Sequence, residues 1–423
     1  MTATPITAAD AAASASNNGA SRVPDGAAPI AVSAYTVTTA VGAGGAALLA
    51  ALRARRSGLK PHDFLPYDGA PLLPTWIGEV AGVDTTTLPI EHARFDCRNN
   101  RLAWLALQQD GFLLAAQSAL VRHGAERVAV IIGTSTSGLL QAEAAFRHCD
   151  ERGHLPADFD YAGTLNNFSA PAFVAAAIGA RGPTYALSTA CSSSAKVFPA
   201  AARLLRAGVV DAAVVGGVDS LCLTTLCGFG SLELLSPEPC RPFDRRRRGI
   251  SIGEGAGFAL LERAGPSDVL HLLGAGESSD AHHMSTPHPG GLGAELAMRD
   301  ALRAAALAPQ DIDYINLHGT ATRSNDIAEG RAVERLFGRS VATSSTKSWF
   351  GHLLGAAGIA EAVVSLLAVE HGHLPGTLNT TDVDPECGNW VLTESLELDC
   401  RVALSNSFGF GGSNCSLIFG RLS

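Results

Sequence analysis

Charge is scarce in this chain. Only 17 % of its 423 residues are Asp, Glu, Lys or Arg, and 31 basic against 40 acidic residues leave a net charge of −9. No global excess of positive charge is available to neutralise phosphates, which argues against nucleic acid as the main partner. No uninterrupted apolar run reaches the length of a membrane span. No basic segment followed by an apolar stretch opens the sequence, so a secretory signal is not expected. The nine cysteines are odd in number and form no dense framework, so free thiols in a reducing cytoplasm are expected. Short-period repeats are also missing.

Against these absences stand 47 % apolar residues and 45 glycines, the composition of a compact globular protein with closely packed elements. The length suits two or three domain-sized units. Residues 1–29 are rich in Ala, Ser, Thr, Asn and Gly, without periodicity, and are expected to form a flexible tail. Order is expected from Ile30. From there short apolar strands alternate with helices, which predicts an α/β fold. Strands are predicted over 30–35, 127–133, 183–188, 211–217, 313–317, 341–344 and 401–405, and a helix over 195–207 closed by Gly208. Both halves repeat strand, polar turn and helix, with a boundary near Ala264. The expected units are therefore 30–264 and 265–423.

Ligands of open α/β sheets bind beyond the carboxyl ends of strands, and the reactive side chains gather at such places. Cys191, in Thr189-Ala-Cys-Ser-Ser-Ser, follows a strand and opens a helix. A helix N-terminus lowers a thiol's pKa, so Cys191 reads as a nucleophile toward a thioester or amide carbonyl, or else as a buried structural cysteine. His318 in Leu317-His-Gly-Thr-Ala-Thr and His352 in Phe350-Gly-His-Leu-Leu-Gly-Ala-Ala-Gly each end a strand and precede a helix. Either is a functional group or a satisfied structural histidine. The Ser405-Asn-Ser-Phe-Gly-Phe-Gly-Gly turn is able to aim N–H groups into a site, or is an ordinary hairpin. Its glycines have the wrong spacing for a dinucleotide fingerprint. His282, His283 and His288 lack partners at ligand spacing, and Cys222 and Cys227 lack a second pair, so no metal site is expected.

Taken together, the four segments resemble the signature set of the β-ketoacyl-[acyl carrier protein] synthases, the elongating ketosynthases of Cys-His-His type. The resemblance runs from about Ile30 to the C-terminus. It implies a thiolase-like fold, two similar halves in a five-layer α-β-α-β-α arrangement, normally dimeric. It also implies that Cys191 carries the acyl chain as a thioester. His318 and His352 would hold the malonyl thioester oxygen as carbon dioxide leaves and enolate charge develops. The backbone N–H groups of Cys191 and Phe410 would receive the second oxyanion. Lys347 and Glu329 would support the histidines as a cation and its balancing carboxylate, or else form a structural ion pair. Thr320 and Thr322 match positions that bind the phosphopantetheine arm, and Phe408 and Phe410 match a mobile loop gating the acyl pocket. No metal or redox cofactor is implied. Ala321 stands where many relatives have Gly or Ser. Trp349 and Phe350 replace smaller residues and would fill core or reshape the pocket. Cys191-Ser-Ser-Ser is closer to polyketide-type than to housekeeping enzymes, which points to a polyketide or polyene pathway.

The implied partner is an acyl carrier protein, which is acidic and needs a locally basic face. Arg245, Arg246, Arg247 and Arg248 form the densest basic run, with Arg94, Arg98 and Arg101 as a second cluster. A homodimer and a heterodimer with a related ketosynthase or chain-length factor both fit. The rival reading is a non-catalytic chain-length-determining subunit. Such subunits typically lack the nucleophile, which this chain has. Degradative thiolases with a second Cys, starter-unit synthases with Cys, His and Asn, and cysteine hydrolases fit the motifs less well.

Overall fold

The computed structural model describes residues 30–265, 268–388 and 390–421. The expected N-terminal tail, and Pro266 and Ser267 beside the expected boundary, lie outside the described residues.

Ten strands carry the fold: β1 (Ile30–Thr39), β2 (Val128–Gly133), β3 (Thr184–Leu187), β4 (Ala212–Asp219), β5 (Gly255–Arg263), β6 (Leu270–Ser279), β7 (Tyr314–Asn316), β8 (Ala342–Ser344), β9 (Val402–Gly409) and β10 (Ser413–Arg421). Their order in space is β8-β7-β9-β10-β6-β1-β5-β4-β2-β3. Reading inward from either edge gives the same topology. β3, β2 and β4 are parallel, β4 and β5 antiparallel, and β5 and β1 antiparallel. β8, β7 and β9 are parallel, β9 and β10 antiparallel, and β10 and β6 antiparallel. The duplication anticipated from the sequence is therefore a structural repeat. Its halves meet where Ile30 and Ala31 of β1 pair with Leu272 and His271 of β6.

The inner parallel strands β2 and β4 form because they are short apolar runs buried on both faces, as strands between helical layers must be, whereas β3 at the sheet's end is half-exposed. Alternate residues of β2 serve opposite cores. Ala129 and Ile131 face a central core that also takes in Val197 and Phe198 of α4 (Ser193–Arg206), Ile359 and Leu366 of α7 (Ala357–His371), and Ala403 and Leu417 of the second half. Val128, Val130 and Ile132 face an outer core with α1 (Arg98–Leu107), α2 (Phe112–His123) and α3 (Ser169–Ile178). The other outer core joins Ile315 and Leu404 to α5 (Leu292–Ala305) and α6 (Arg323–Phe337). Outer helices, sheet, central α4 and α7, sheet and outer helices make the five layers.

α7 is apolar on nearly every side, as a helix enclosed by protein requires. The stretch Leu354–His371 has the length and composition of a membrane span, but it is 89 % buried within the fold. Trp349 and Phe350 belong to the core packed against α7 rather than to a pocket wall. The N-terminal turns of α4 and α7 touch backbone to backbone. A Cβ on Gly358 would come within 2.5 Å of the Ala195 nitrogen, and the Ile359 N–H donates to Ser194 Oγ at 3.0 Å. Gly358→Leu is therefore expected to force the two central helices apart and cost about 2–3 kcal/mol. Urea unfolding with an unchanged midpoint would contradict this packing.

Candidate active site

The carboxyl ends of the parallel strands from both halves point to one place. Cys191 follows β3, Asp219 ends β4, His318 follows β7, His352 follows β8, and Phe408 lies at the end of β9. Cys191, His318, His352 and Phe408 line one cavity, whose wall also includes Thr320, Thr322 and Phe410. The Cys191 Sγ and one ring nitrogen of each histidine all lie within 4.8 Å of one another. The two imidazoles meet edge to face, 5.5 Å between centroids, and Phe408 packs on His318 at 5.8 Å.

Local backbone shape delivers these groups. Ala190 has φ 52°, turning the chain sharply before the nucleophile, and Leu354 has φ 53° just after His352. Ala321 has φ 68°, the left-handed conformation in which a Cβ is disfavoured. That makes the alanine a strained occupant of a position suited to glycine. Such residues persist where surrounding contacts over-determine them. The Ala321 N–H donates to Asp326, and its carbonyl accepts from Gly249.

Hydrogen bonds fix both histidine tautomers. The Leu354 N–H donates to His352 Nδ1 at 3.1 Å, and the Lys347 ammonium lies 3.3 Å from His318 Nδ1. A nitrogen that accepts carries no proton, so each ring keeps its proton on Nε2. Burial, reinforced at His318 by the Lys347 charge and by His352, and at His352 by Lys347, holds both well below the usual imidazole range. Two neutral N–H donors therefore face the cavity.

Lys347 is buried, and its ion-pair partner is Glu361 on α7, not Glu329. Lys347 and Glu329 do not pair with each other; each meets His318 separately, Lys347 at the ring and Glu329 at the backbone N–H. Glu329 accepts the N–H groups of His318 and Gly319, both at 2.8 Å, and the Asn406 amide at 3.2 Å. It clamps the turn that carries His318. Burial pushes both carboxyls up to about 7, although the Lys347 charge opposes the rise, most strongly at Glu361. Asp219 is a second anchor the sequence reading missed. It accepts from Thr134, Ser135, Thr136 and Gly355, tying the loop after β2 to the turn before α7.

The thiol itself departs from expectation. Cys191 precedes α4, yet burial pushes its thiol up to about 11, only partly offset by Lys347 and by a hydrogen bond from the Phe410 N–H. The helix terminus does not outweigh desolvation, because the sulfur is enclosed. The Phe408–Phe410 turn is both the tip of the β9–β10 hairpin and a cavity wall, and Phe410 leans on Phe229, 5.8 Å between rings. Thr320 and Thr322 stand side by side at 2.9 Å on the same wall.

The basic clusters divide. Arg245, Arg246 and Arg248 are exposed. Arg247 is buried against Asp326 and Asp384, and Arg98 is buried among Glu254, Asp84 and Glu79. Arg101 is half-buried and bidentate to Asp96. Arg98 and Arg247 are structural, because a guanidinium with several carboxylates closes internal networks, and neither is available for docking. Arg101 is neutralised by its pair.

Family models described as "Beta-ketoacyl synthase, N-terminal domain" and "Beta-ketoacyl synthase, C-terminal domain" match residues 27–266 and 270–381. The chain belongs to the β-ketoacyl synthase family. A mitochondrial 3-oxoacyl-[acyl-carrier-protein] synthase of Arabidopsis thaliana is 40 % identical over 70 % of this chain and 68 % of its own length. A 3-oxoacyl-[acyl-carrier-protein] synthase 2 of Staphylococcus aureus is 33 % identical over 72 % and 79 %. Among solved structures, a chain of the complex of a ketosynthase (ApeO) with its chain length factor (ApeC) from Xenorhabdus doucetiae is 38 % identical. It superposes with a TM-score of 0.82 over 93 % of this chain and 98 % of that one. The β-ketoacyl synthase described here is thus a condensing acyltransferase with the thiolase-like fold. Its reaction is the decarboxylative condensation of an acyl group with malonyl-acyl carrier protein, giving 3-oxoacyl-acyl carrier protein.

The raised thiol has a measurable consequence. Alkylation of Cys191 by iodoacetamide, read by intact mass, is expected to climb still at about pH 9.5, where an ordinary thiol has levelled off. A plateau near pH 8 would contradict the burial argument.

Proposed function

We propose that Cys191 carries the acyl chain of this condensation and that His318 and His352 stabilise the enolate. The observation that supports it is the meeting of one sulfur and two Nε2–H donors at a single cavity. In the first half-reaction the Cys191 sulfur attacks an acyl thioester. The oxyanion falls between the N–H groups of Cys191 and Phe410, and the thiol proton leaves with the departing pantetheine thiolate. In the second, the malonyl thioester carbonyl accepts from both Nε2–H groups. The carboxylate departs as carbon dioxide, and its bonding electrons become the enolate. That carbon attacks the acyl-Cys191 carbonyl, and collapse of the adduct expels the Cys191 sulfur as a thiolate, which takes a proton from water to restore the thiol. Two neutral donors suit this charge because they gain strength as it grows and carry no proton acidic enough to quench the carbanion. No metal or redox cofactor enters these steps.

We assign Thr320 and Thr322 to holding the phosphopantetheine arm and Phe408 and Phe410 to gating the acyl pocket, with Phe229, Leu234 and Ile250 on the wall of the same cavity. The exposed Arg245, Arg246 and Arg248 adjoin Gly249, whose N–H donates to the carbonyl of Ala321, the residue between the wall residues Thr320 and Thr322, so an acidic carrier protein docking there would sit near the cavity. The pathway we favour is polyketide or polyene assembly. The likeness to a ketosynthase with its chain length factor supports this, as does that to the ishigamide ketosynthase/chain length factor at 29 % identity and TM-score 0.81.

The same likeness supports pairing with a second thiolase-type chain. β3 is a half-exposed edge strand at the end of the sheet. It packs on α3, which in turn contacts the turns Ile90–Phe95 and Tyr161–Leu165. On this connected surface Ile90 is 88 % exposed and Phe168 is 56 % exposed. We assign it as the pairing face.

Two outcomes are expected. Cys191→Ala abolishes acyl transfer from acyl-carrier protein, while His318→Ala and His352→Ala each cut carbon dioxide release from malonyl-carrier protein by about 10²–10³; decarboxylation retained in both histidine variants would remove the enolate role. The double variant Ile90→Asp/Phe168→Asp is expected to elute as a monomer by light scattering, and an intact dimer would refute the assigned face.

A further inference from the structure

The three reactive side chains also meet the description of a metal site. A thiol and two imidazoles with ligand atoms within 4.8 Å of one another are, by donor type and spacing, a soft three-ligand site with an open fourth position. Zinc bonds of about 2.3 Å to sulfur and 2.0–2.1 Å to nitrogen place neighbouring ligand atoms roughly 3.5 Å apart, a contraction that small side-chain rotations supply. Zinc seated there would cap the nucleophile.

The groups behind the histidines are the reverse of what a zinc site uses. In such sites the remote imidazole nitrogen donates to a carboxylate or carbonyl, which leaves the near nitrogen's lone pair free for the metal. Here both remote nitrogens accept. His352 Nδ1 takes the Leu354 N–H, and His318 Nδ1 faces the Lys347 ammonium. Glu361, the carboxylate in reach, pairs with Lys347 and does not contact either ring. We propose that Lys347 and the Leu354 N–H together form a metal-exclusion device that reserves the Cys191–His318–His352 cluster for a carbonyl oxygen and keeps zinc and similar thiophilic cations out.

Each imidazole presents a hydrogen where a cation needs a lone pair. To bind zinc, each ring must move its proton to Nδ1, against an amide N–H at His352 and against an ammonium at His318. The dication would also sit close to the Lys347 charge. The backbone takes part as well. Leu354 occupies the left-handed region at φ 53°, and in that conformation its N–H points back onto the ring of His352. The charged half of the device is removable by mutation without leaving a lone buried charge, because Lys347 and Glu361 can be neutralised together.

The test is a zinc titration of the full chain against a chromophoric chelator, comparing the wild type, Lys347→Met/Glu361→Gln, and that double variant with Cys191→Ala added. The double variant is expected to bind one zinc about 10–100-fold more tightly than the wild type. The added Cys191→Ala is expected to erase the gain, and X-ray absorption of the zinc-loaded double variant to show one sulfur and two nitrogen neighbours. Wild-type binding at Cys191 as tight as that of the double variant would overturn the proposal. Nitrogen-15 NMR of the histidine rings in the wild type tests it independently of any variant's folding. Both His318 and His352 must appear as Nε2–H tautomers, and an Nδ1–H form at either one refutes it.

Discussion

The Lys347 ammonium, held between Glu361 of α7 and the Nδ1 of His318, is the contact on which the chemistry of this site depends. It is one of only three lysines in the chain. Burying it has a desolvation cost that Glu361 and the His318 carbonyl offset through a charge-assisted network. In return the ammonium disfavours protonation of both imidazoles, fixes one tautomer and pulls the buried thiol's pKa down from where enclosure alone would leave it. The cavity thereby presents two neutral N–H donors and no imidazolium. It stabilises an enolate as charge develops and does not hand that enolate a proton.

The repeated fold explains how residues so far apart in sequence reach one point. Both halves place the carboxyl ends of three parallel strands at the same side of the molecule, and the close crossing of α4 and α7 brings those ends together. The turn between β3 and α4 supplies the sulfur. The corresponding turn between β8 and α7 supplies Lys347 and His352 instead. One scaffold used twice, with different side chains at equivalent turns, yields a nucleophile in one half and its electrostatic partners in the other. The antiparallel β9–β10 hairpin then covers the junction with Phe408 and Phe410.

Much of this was legible in the sequence. Buried parallel strands are continuous apolar runs, so 127–133 and 211–217 are readable as strands, and the turns carrying Cys191, His318 and His352 each break such a run with polar or small residues. Spacing alone did not join them; the resemblance of four ordered motifs did. Properties set by the environment were less visible. Burial raised the Cys191 thiol where local pattern argued for lowering it. Burial also decided which arginines were available, because Arg98 and Arg247 differ from their exposed neighbours only in the acidic groups that tertiary folding places against them. Glu361 left a trace that was not used: it is a lone acid well inside the otherwise apolar start of a helix, where a charge needs a buried partner. Asp219 left less, since a single Asp ending a strand is common.

Condensation in this cavity depends on both Nε2–H groups donating to one carbonyl oxygen while the Cys191 sulfur stands beside it. A crystal structure with a non-hydrolysable malonyl-pantetheine amide tests that most directly. The amide oxygen should lie about 2.7–3.1 Å from Nε2 of both His318 and His352, with the malonyl carbon facing Cys191 Sγ. An oxygen bound instead at the Cys191 and Phe410 amides, or touching neither imidazole, would contradict the assignment.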